Sequence, residues 1–204
     1  MEKPKSAVTK AAKVEPKTPG FDTEELIALA RLEMDKGAMD QALLKLKQVF
    51  ADGEPPAEAS SLMARLYAQL GLFKRAQEYY QRCIKANPAA LLERFQLGMT
   101  YFDSGEATEA LAIWDELLKD HPAHPPALFY RAYALLQNGN RADAKQSLEI
   151  IMKSAPADNL YFGRAKELIQ VIDGGRAPQR PPRPAETADA PVRRAPKDPY
   201  KTEH

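Results

Sequence analysis

Apolar residues recur at helical intervals through the middle of the chain, and each apolar run is interrupted at a regular place. Before Gly105, Leu97 and Tyr101 lie four positions apart, on one side of a helix. The next run, EALAIWDELLKD, has the same character and stops before Pro122. Glycine accepts a left-handed conformation at low cost, and proline cannot continue a helix. The pattern therefore predicts two antiparallel helices joined at the glycine.

This unit recurs with a period of thirty-four residues. Prolines close the units at Pro88, Pro122 and Pro156, with Pro55 and Pro56 slightly offset in the first. A period of this length is typical of stacked arrays in which each unit contacts only its neighbours. Three columns of small residues keep the same step: Gly37, Gly71, Gly105 and Gly139; Ala42, Ala76, Ala110 and Ala144; and Ala30, Ala64, Gly98 and Ala132.

The pattern resembles that of the tetratricopeptide repeat (TPR) family, whose unit has a small residue, an aromatic, a small residue, a large one, a small one and a proline, in that order. The third unit departs at Leu117, which replaces a small residue, and the first and fourth carry Glu33 and Leu135 in place of the aromatic. The matching residues are Ala64, Tyr67, Ala76, Tyr80, Cys83 and Pro88 in the second unit, and Gly98, Tyr101, Ala110, Trp114 and Pro122 in the third.

The resemblance implies an all-α fold: a right-handed superhelical array of four TPR helix pairs with a C-terminal capping helix. The last segment resembles the extra helix that covers the exposed apolar face of a final pair. The expected TPR domain is 23–173, composed of units 23–56, 57–90, 91–124 and 125–158 and a capping helix at 159–173.

Two segments flank the array, and both are rich in proline and poor in large apolar residues. Because neither buries enough apolar surface to offset its ordering entropy, we expect a disordered basic N-terminal tail at 1–22 and a disordered Pro/Arg-rich tail at 174–204. The first has five lysines against three acids, and the second seven cations against four acids. Since the whole chain carries +1, residues 23–173 carry −4.

Cys83 is the sole cysteine, so no disulfide forms within the chain, and a reduced compartment is the simpler expectation. It stands where the TPR unit needs a small residue, and we interpret it as a packing residue. The sequence has no apolar run of signal-peptide length at its start and no run long enough to span a membrane. We expect a cytoplasmic protein without a membrane span.

The sequence contains no nucleophile elbow, phosphate-binding loop, nucleotide fingerprint or zinc-binding helix motif. His121 and His124 lie in a proline-rich turn, with no Cys or carboxylate at ligand spacing. We therefore expect no enzymatic activity, no cofactor, no metal and no small-molecule substrate. Nucleic acid is not the expected partner, because the basic charges of the tails are sparse and lack interleaved aromatics.

The resemblance also implies a function, because the first helices of TPR units line a concave groove that holds a peptide or helix of a partner protein. The expected role is a non-catalytic scaffold or adaptor in the assembly of a larger complex. Arg31 and Arg65 predict an acidic end on the ligand, although some aromatics, mainly Phe95 and Phe129, could instead pack between repeats. The implied groove residues are Arg31, Arg65, Phe95, Met99, Phe102, Phe129, Tyr130, Tyr133 and Leu136.

Two alternatives stay open at the level of sequence. In the first, the protein is a self-assembling structural TPR protein, and the groove binds a neighbouring chain, for example the basic C-terminal tail with its Tyr200. That alternative makes the protein a homo-oligomer. In the second, the basic tails bind nucleic acid by neutralising phosphates.

The column Ala42, Ala76, Ala110 and Ala144 allows a test of the predicted helix pairs. Replacing Ala110 with leucine overpacks the contact between two helices, and we expect a loss of about 1–3 kcal/mol in the free energy of unfolding. Chemical unfolding followed by circular dichroism measures this loss. An Ala110→Leu variant as stable as the parent contradicts the assignment.

Overall fold

The computed structural model describes residues 20–51 and 53–175, which form nine α-helices and no strand. Most of the two predicted tails, residues 1–19 and 176–204, lies outside the described residues. The helices are α1 (Thr23–Asp35), α2 (Met39–Ala51), α3 (Ala57–Gln69), α4 (Phe73–Ala86), α5 (Leu91–Asp103), α6 (Ala107–Asp120), α7 (Pro125–Gln137), α8 (Arg141–Ser154) and α9 (Leu160–Asp173).

The helices pack as four pairs followed by a single helix. Each odd-numbered helix from α1 to α7 contacts its successor most extensively, and each pair also contacts the next pair along the chain. Helix α9 packs against both α7 and α8, where it covers the end of the last pair. The predicted all-α repeat array with a terminal capping helix is confirmed, and the division of the whole chain into array and tails stays a prediction.

The turn inside each pair has the glycine conformation that the sequence predicts. Gly105 has a φ of 87°, in the left-handed region where a side chain is strained. The next residue, Glu106, donates its N–H to the carbonyl of Tyr101 at 2.9 Å. This bond reaches back over the glycine and satisfies a carbonyl at the end of α5. The other three turns repeat it, which fixes the angle between the two helices of every pair.

The column Ala30, Ala64, Gly98 and Ala132 lies at the contact between the two helices of each pair. The single glycine of this column, Gly98, is explained by the neighbouring Trp114. Trp114, the only tryptophan, is fully buried on α6, and its Nε1 donates to the carbonyl of Phe95 at 3.3 Å. A Cβ added at Gly98 would collide with the indole ring. The other three units have alanine in this column, and at the position of Trp114 they carry Leu46, Tyr80 or Leu148, all smaller than tryptophan.

The first repeat departs from the pattern at the end of the array. In the third unit, Tyr101 packs against the core of the preceding pair. The equivalent Glu33 has no described helix before it, and its Oε1 lies 3.9 Å from Nζ of Lys45. A half-buried ion pair thus stands where an aromatic would otherwise be exposed, as the terminal unit of an array requires.

The contact of Gly98 with Trp114 yields a stability prediction. We expect Gly98→Ala to destabilise the protein by about 1–3 kcal/mol, because the added methyl overpacks a fully buried contact. Combining Gly98→Ala with Trp114→Leu should cost less than the sum of the two single changes, since the smaller side chain leaves room for the methyl. Urea unfolding of the four proteins measures this coupling, and strict additivity would show that the two residues do not clash.

Candidate functional site

The odd-numbered helices form one continuous layer, which we call the inner face. Helix α1 contacts α3, α5 contacts α7, and α7 contacts α9, while Ser61 of α3 donates a hydrogen bond to Glu93 of α5. Even-numbered helices make no comparable contact with one another among the described residues. The odd layer is therefore the more tightly curved side of the array, and it corresponds to the concave side implied by the sequence resemblance.

Side-chain contacts across this layer show which positions of each helix face their neighbours. They involve ion pairs and hydrogen bonds in the first half and aromatic rings in the second. They join Arg31 to Glu58, Arg65 to Asp35, Ser61 to Glu93, Phe95 to Tyr130, Phe102 to Tyr133, and Phe129 to Tyr161.

In the first half of the inner face, the two arginines are already matched by carboxylates. Arg31 pairs with Glu58 on the next helix, and Nη2 of Arg65 lies 3.8 Å from Oδ1 of Asp35 on the preceding helix. Carboxylates therefore offset these two charges within the array, which weakens the reason for an acidic ligand, and the charge of the ligand stays a prediction. Glu24 adds an exposed carboxylate at the same end.

In the second half, aromatic rings form an unbroken network. The centroids of Phe102 and Tyr133 are 5.9 Å apart with the rings nearly perpendicular, and those of Phe129 and Tyr161 are 5.6 Å apart. Trp114 lies behind them, 5.9 Å from Phe102. Edge-to-face rings at these separations stabilise one another beyond the area they bury. The rings of this half are therefore packed against one another as a continuous layer.

All nine groove residues implied by the sequence resemblance lie on odd-numbered helices, so the fold brings them to one layer. Arg31 is exposed, whereas Arg65 and Leu136 are partly buried. Whether these residues contact a partner stays a prediction. The other six, Phe95, Met99, Phe102, Phe129, Tyr130 and Tyr133, are only 1–6% exposed.

Sequence reasoning missed the most accessible apolar residues of the inner face. Leu92 at the start of α5 is 53% exposed, and Leu160 at the start of α9 is 60% exposed. They share a column of the thirty-four-residue period with Glu24 and Glu58. The thirty-four-residue period could have identified these two leucines, because Glu58 in the same column contacts Arg31 on the preceding odd-numbered helix. Along this row the exposed side chains change from acidic to apolar.

Gln96 is a second feature that periodicity did not single out as functional. It lies on α5 between Phe95 and Leu97 and is 4% exposed. Its Oε1 accepts no hydrogen bond among the described residues. A buried amide oxygen without a donor is energetically costly, so Gln96 is a polar side chain that the packing of α5 holds at some cost in stability.

The remaining candidate chemistry is structural in character. Burial, helped by Glu93, raises the pKa of the Cys83 thiol to about 11, which disfavours the thiolate that nucleophilic chemistry needs. Within 20–51 and 53–175, no group of three or more His, Cys, Asp or Glu side chains is placed to hold a metal ion. No helix in those ranges is long and apolar enough to cross a membrane.

His124 connects the start of α7 to the aromatic network. Its Nδ1 accepts the N–H of Ala127 at 3.2 Å and so caps the helix, and its ring meets the ring of Phe95 at 5.7 Å. Burial, with a smaller contribution from His121, lowers the pKa of His124 to about 4. The neutral imidazole is therefore a structural acceptor, which accounts for a turn histidine without a metal.

Comparison with known proteins agrees with this geometry. Family models described as tetratricopeptide repeat match residues 95–159 and 57–89. A TPR protein from Parabacteroides merdae superimposes with a TM-score of 0.64 at 20% identity, covering 75% of this chain and 60% of that one. YrrB, described as a TPR protein with an unusual peptide-binding site, gives 0.62 at 21% identity, covering 71% and 74%. Identities this low show the fold alone.

One curated relative is the cellulose synthase operon protein C of Pseudomonas fluorescens (strain SBW25). It is 32% identical over 125 residues, which cover 57% of this chain but 10% of that protein. The chain thus spans about a tenth of the relative's length. The fold and the family matches together define a repeat protein of the protein-interaction scaffold class. This chain belongs to the tetratricopeptide repeat family.

The environment of His124 predicts a dependence of stability on pH. Its pKa in the folded state, about 4, lies below the ordinary value of 6.5, so the folded protein resists protonation. Its stabilising contribution is complete above the ordinary value and is lost as the pH falls toward 4. We expect His124→Asn, which keeps a capping acceptor without titrating, to lose less stability than the parent between pH 7 and 4. Urea unfolding across this range tests it; parallel pH profiles would be the contrary result.

Proposed function

We propose that this protein is a non-catalytic scaffold or adaptor whose inner face binds a peptide or short helix of a partner protein during assembly of a larger complex. The observation that carries the proposal is the pair of exposed apolar side chains, Leu92 and Leu160, on the same layer of helices as a closely packed set of aromatic rings. Apolar anchors on a fixed support are what peptide recognition requires, because little conformational freedom is lost on binding.

The charges of the inner face indicate the chemistry of the partner segment. In the first half, Arg31 and Arg65 are offset by Glu58 and Asp35, and Glu24 remains exposed. A neutral or basic stretch suits that half better than an acidic one. In the second half, the apolar row favours leucine-like or aromatic residues of the ligand. The ligand is therefore expected to be amphipathic along its length.

Two comparisons support this role without identifying the partner. YrrB is described as having a peptide-binding site, and its fold is shared by this chain. The cellulose synthase operon protein C has a segment related to this one within a far longer protein. We propose that the repeat serves here as a binding module for a protein segment.

The exposed leucines allow a direct test with a matched control. Leu92 lies on the inner face, and Leu44, 59% exposed, lies on the even-numbered α2. Partners are first captured with the full-length parent chain, and their binding is then titrated by calorimetry. We expect Leu92→Asp to weaken binding by about 1–3 kcal/mol, because a charge replaces an apolar anchor.

Leu44→Asp should leave the affinity unchanged, since α2 belongs to the outer layer. Circular dichroism spectra matching the parent's show that both variants are folded. Equal loss in both variants, or loss only in Leu44→Asp, would place the partner elsewhere. If the captured partner is a second copy of this chain, the self-assembling alternative replaces the adaptor.

A further inference from the structure

We propose that the chain's own segment 176–184, RAPQRPPRP, docks on the inner face of the same molecule and occupies the second half of the groove. This proposal rests on the proposed function, because the segment would compete with the partner for that surface. It commits to attachment within one molecule. The test below separates this arrangement from two other outcomes: docking of the same segment from a second copy of the chain, and no docking.

Segment 176–184 begins at one edge of the inner face. Helix α9 ends at Asp173, and Gly175 has a φ of 69°, so the chain turns sharply there. Because α9 repeats the direction of the other odd-numbered helices, it ends on the same edge of the layer as α7, α5 and α3. The segment therefore starts beside the row formed by Gln137, Asp103 and Gln69, which are the last residues of those helices.

The length of segment 176–184 can be compared with the width of the second half of the inner face. Packed helices lie about 8–10 Å apart, so the two steps from α9 to α5, which make up the second half of the inner face, amount to roughly 16–20 Å. Nine residues in a polyproline conformation, at about 3.1 Å each, cover roughly 28 Å. The segment 176–184 has nine residues. It is long enough to cross the second half of the inner face without strain.

The aromatic layer in the second half of the inner face is buried. Phe102, Tyr130 and Tyr133 are 6%, 1% and 3% exposed, as low as core residues. Yet helices contact only near neighbours in the array, and no described helix crosses the inner face. Contacts with Trp114 and among the rings themselves contribute to this burial, so the layer forms a closed aromatic floor for a segment that crosses the groove. Proline-rich segments bind aromatic-lined grooves because their extended conformation is already formed before binding.

The charge of segment 176–184 suits the row of residues at the ends of the odd-numbered helices. The segment contains Arg176, Arg180 and Arg183 and no acidic residue. The row at the ends of the odd helices consists of Asp35, which pairs with Arg65, and of Gln69, Asp103 and Gln137, and none of these four residues is basic. Such a row accepts hydrogen bonds from guanidinium groups, which fixes the direction and register of a bound segment.

Docking within the molecule would regulate the partner site. A tethered segment competes at a high effective concentration, so a partner must bind more tightly to displace it. Displacement by a partner, or modification of the arginines, would open the groove. The apolar residues at the other edge, Leu92 and Leu160, would remain accessible to begin the exchange.

Disulfide trapping in the full-length chain tests the proposal without any partner. One variant combines Gln137→Cys with Gln179→Cys, and its matched control combines Gln146→Cys with Gln179→Cys. Both Gln137 and Gln146 are exposed, but the first lies on inner α7 and the second on outer α8, and both helices contact α9. Cys83 is buried, and the single Gln179→Cys variant measures its background.

We expect the Gln137 pair to close within the monomer about tenfold faster than the control, at a rate independent of protein concentration. Adding Arg180→Glu and Arg183→Glu should reduce that preference. Equal rates for the two pairs, or no trapping, would overturn docking. Disulfide-linked dimers that form faster at higher concentration would overturn docking within one molecule in favour of a second copy. Neither result bears on whether Leu92 binds a partner, so the two proposals fail separately.

Discussion

The close approach of the two helices in each pair is the constraint on which the rest of the structure depends. The two columns that contain alanine are buried at these contacts, and the space left by Gly98 is filled by Trp114. Since interiors are close-packed, such contacts tolerate little variation in distance. Fixing the pair fixes the orientation of its two helices, and repeating the pair at a constant interval generates a regular array rather than an irregular bundle.

Regular stacking converts a position in the repeat into a row on the surface. The same column that holds Glu24 and Glu58 in the first units holds Leu92 and Leu160 later in the chain. The backbone therefore supplies a uniform support, while the side chains along it change from charged to apolar. Under the proposed function, a surface built in this way would distinguish the two ends of a bound segment and so give recognition a direction.

The two ends of the array are treated differently because their exposed faces differ. At the beginning, Glu33 and Lys45 form an ion pair where later units have aromatic or apolar residues. At the end, α9 lies against α7 and α8 and buries Tyr161, Ala165 and Leu168. Position in the array, rather than imperfection of the repeat, explains the first departure from the family pattern.

The sequence by itself determined the period, the pairs and the turns, because glycine, proline and helical periodicity act over a few neighbouring residues. It also placed all nine implied groove residues on one layer. Only the tertiary structure decided that Arg31 and Arg65 are offset by carboxylates, and that His124 caps a helix against Phe95. These outcomes join side chains from different helices. They depend on how the helices cross and which rotamers fit, and local sequence patterns do not encode either.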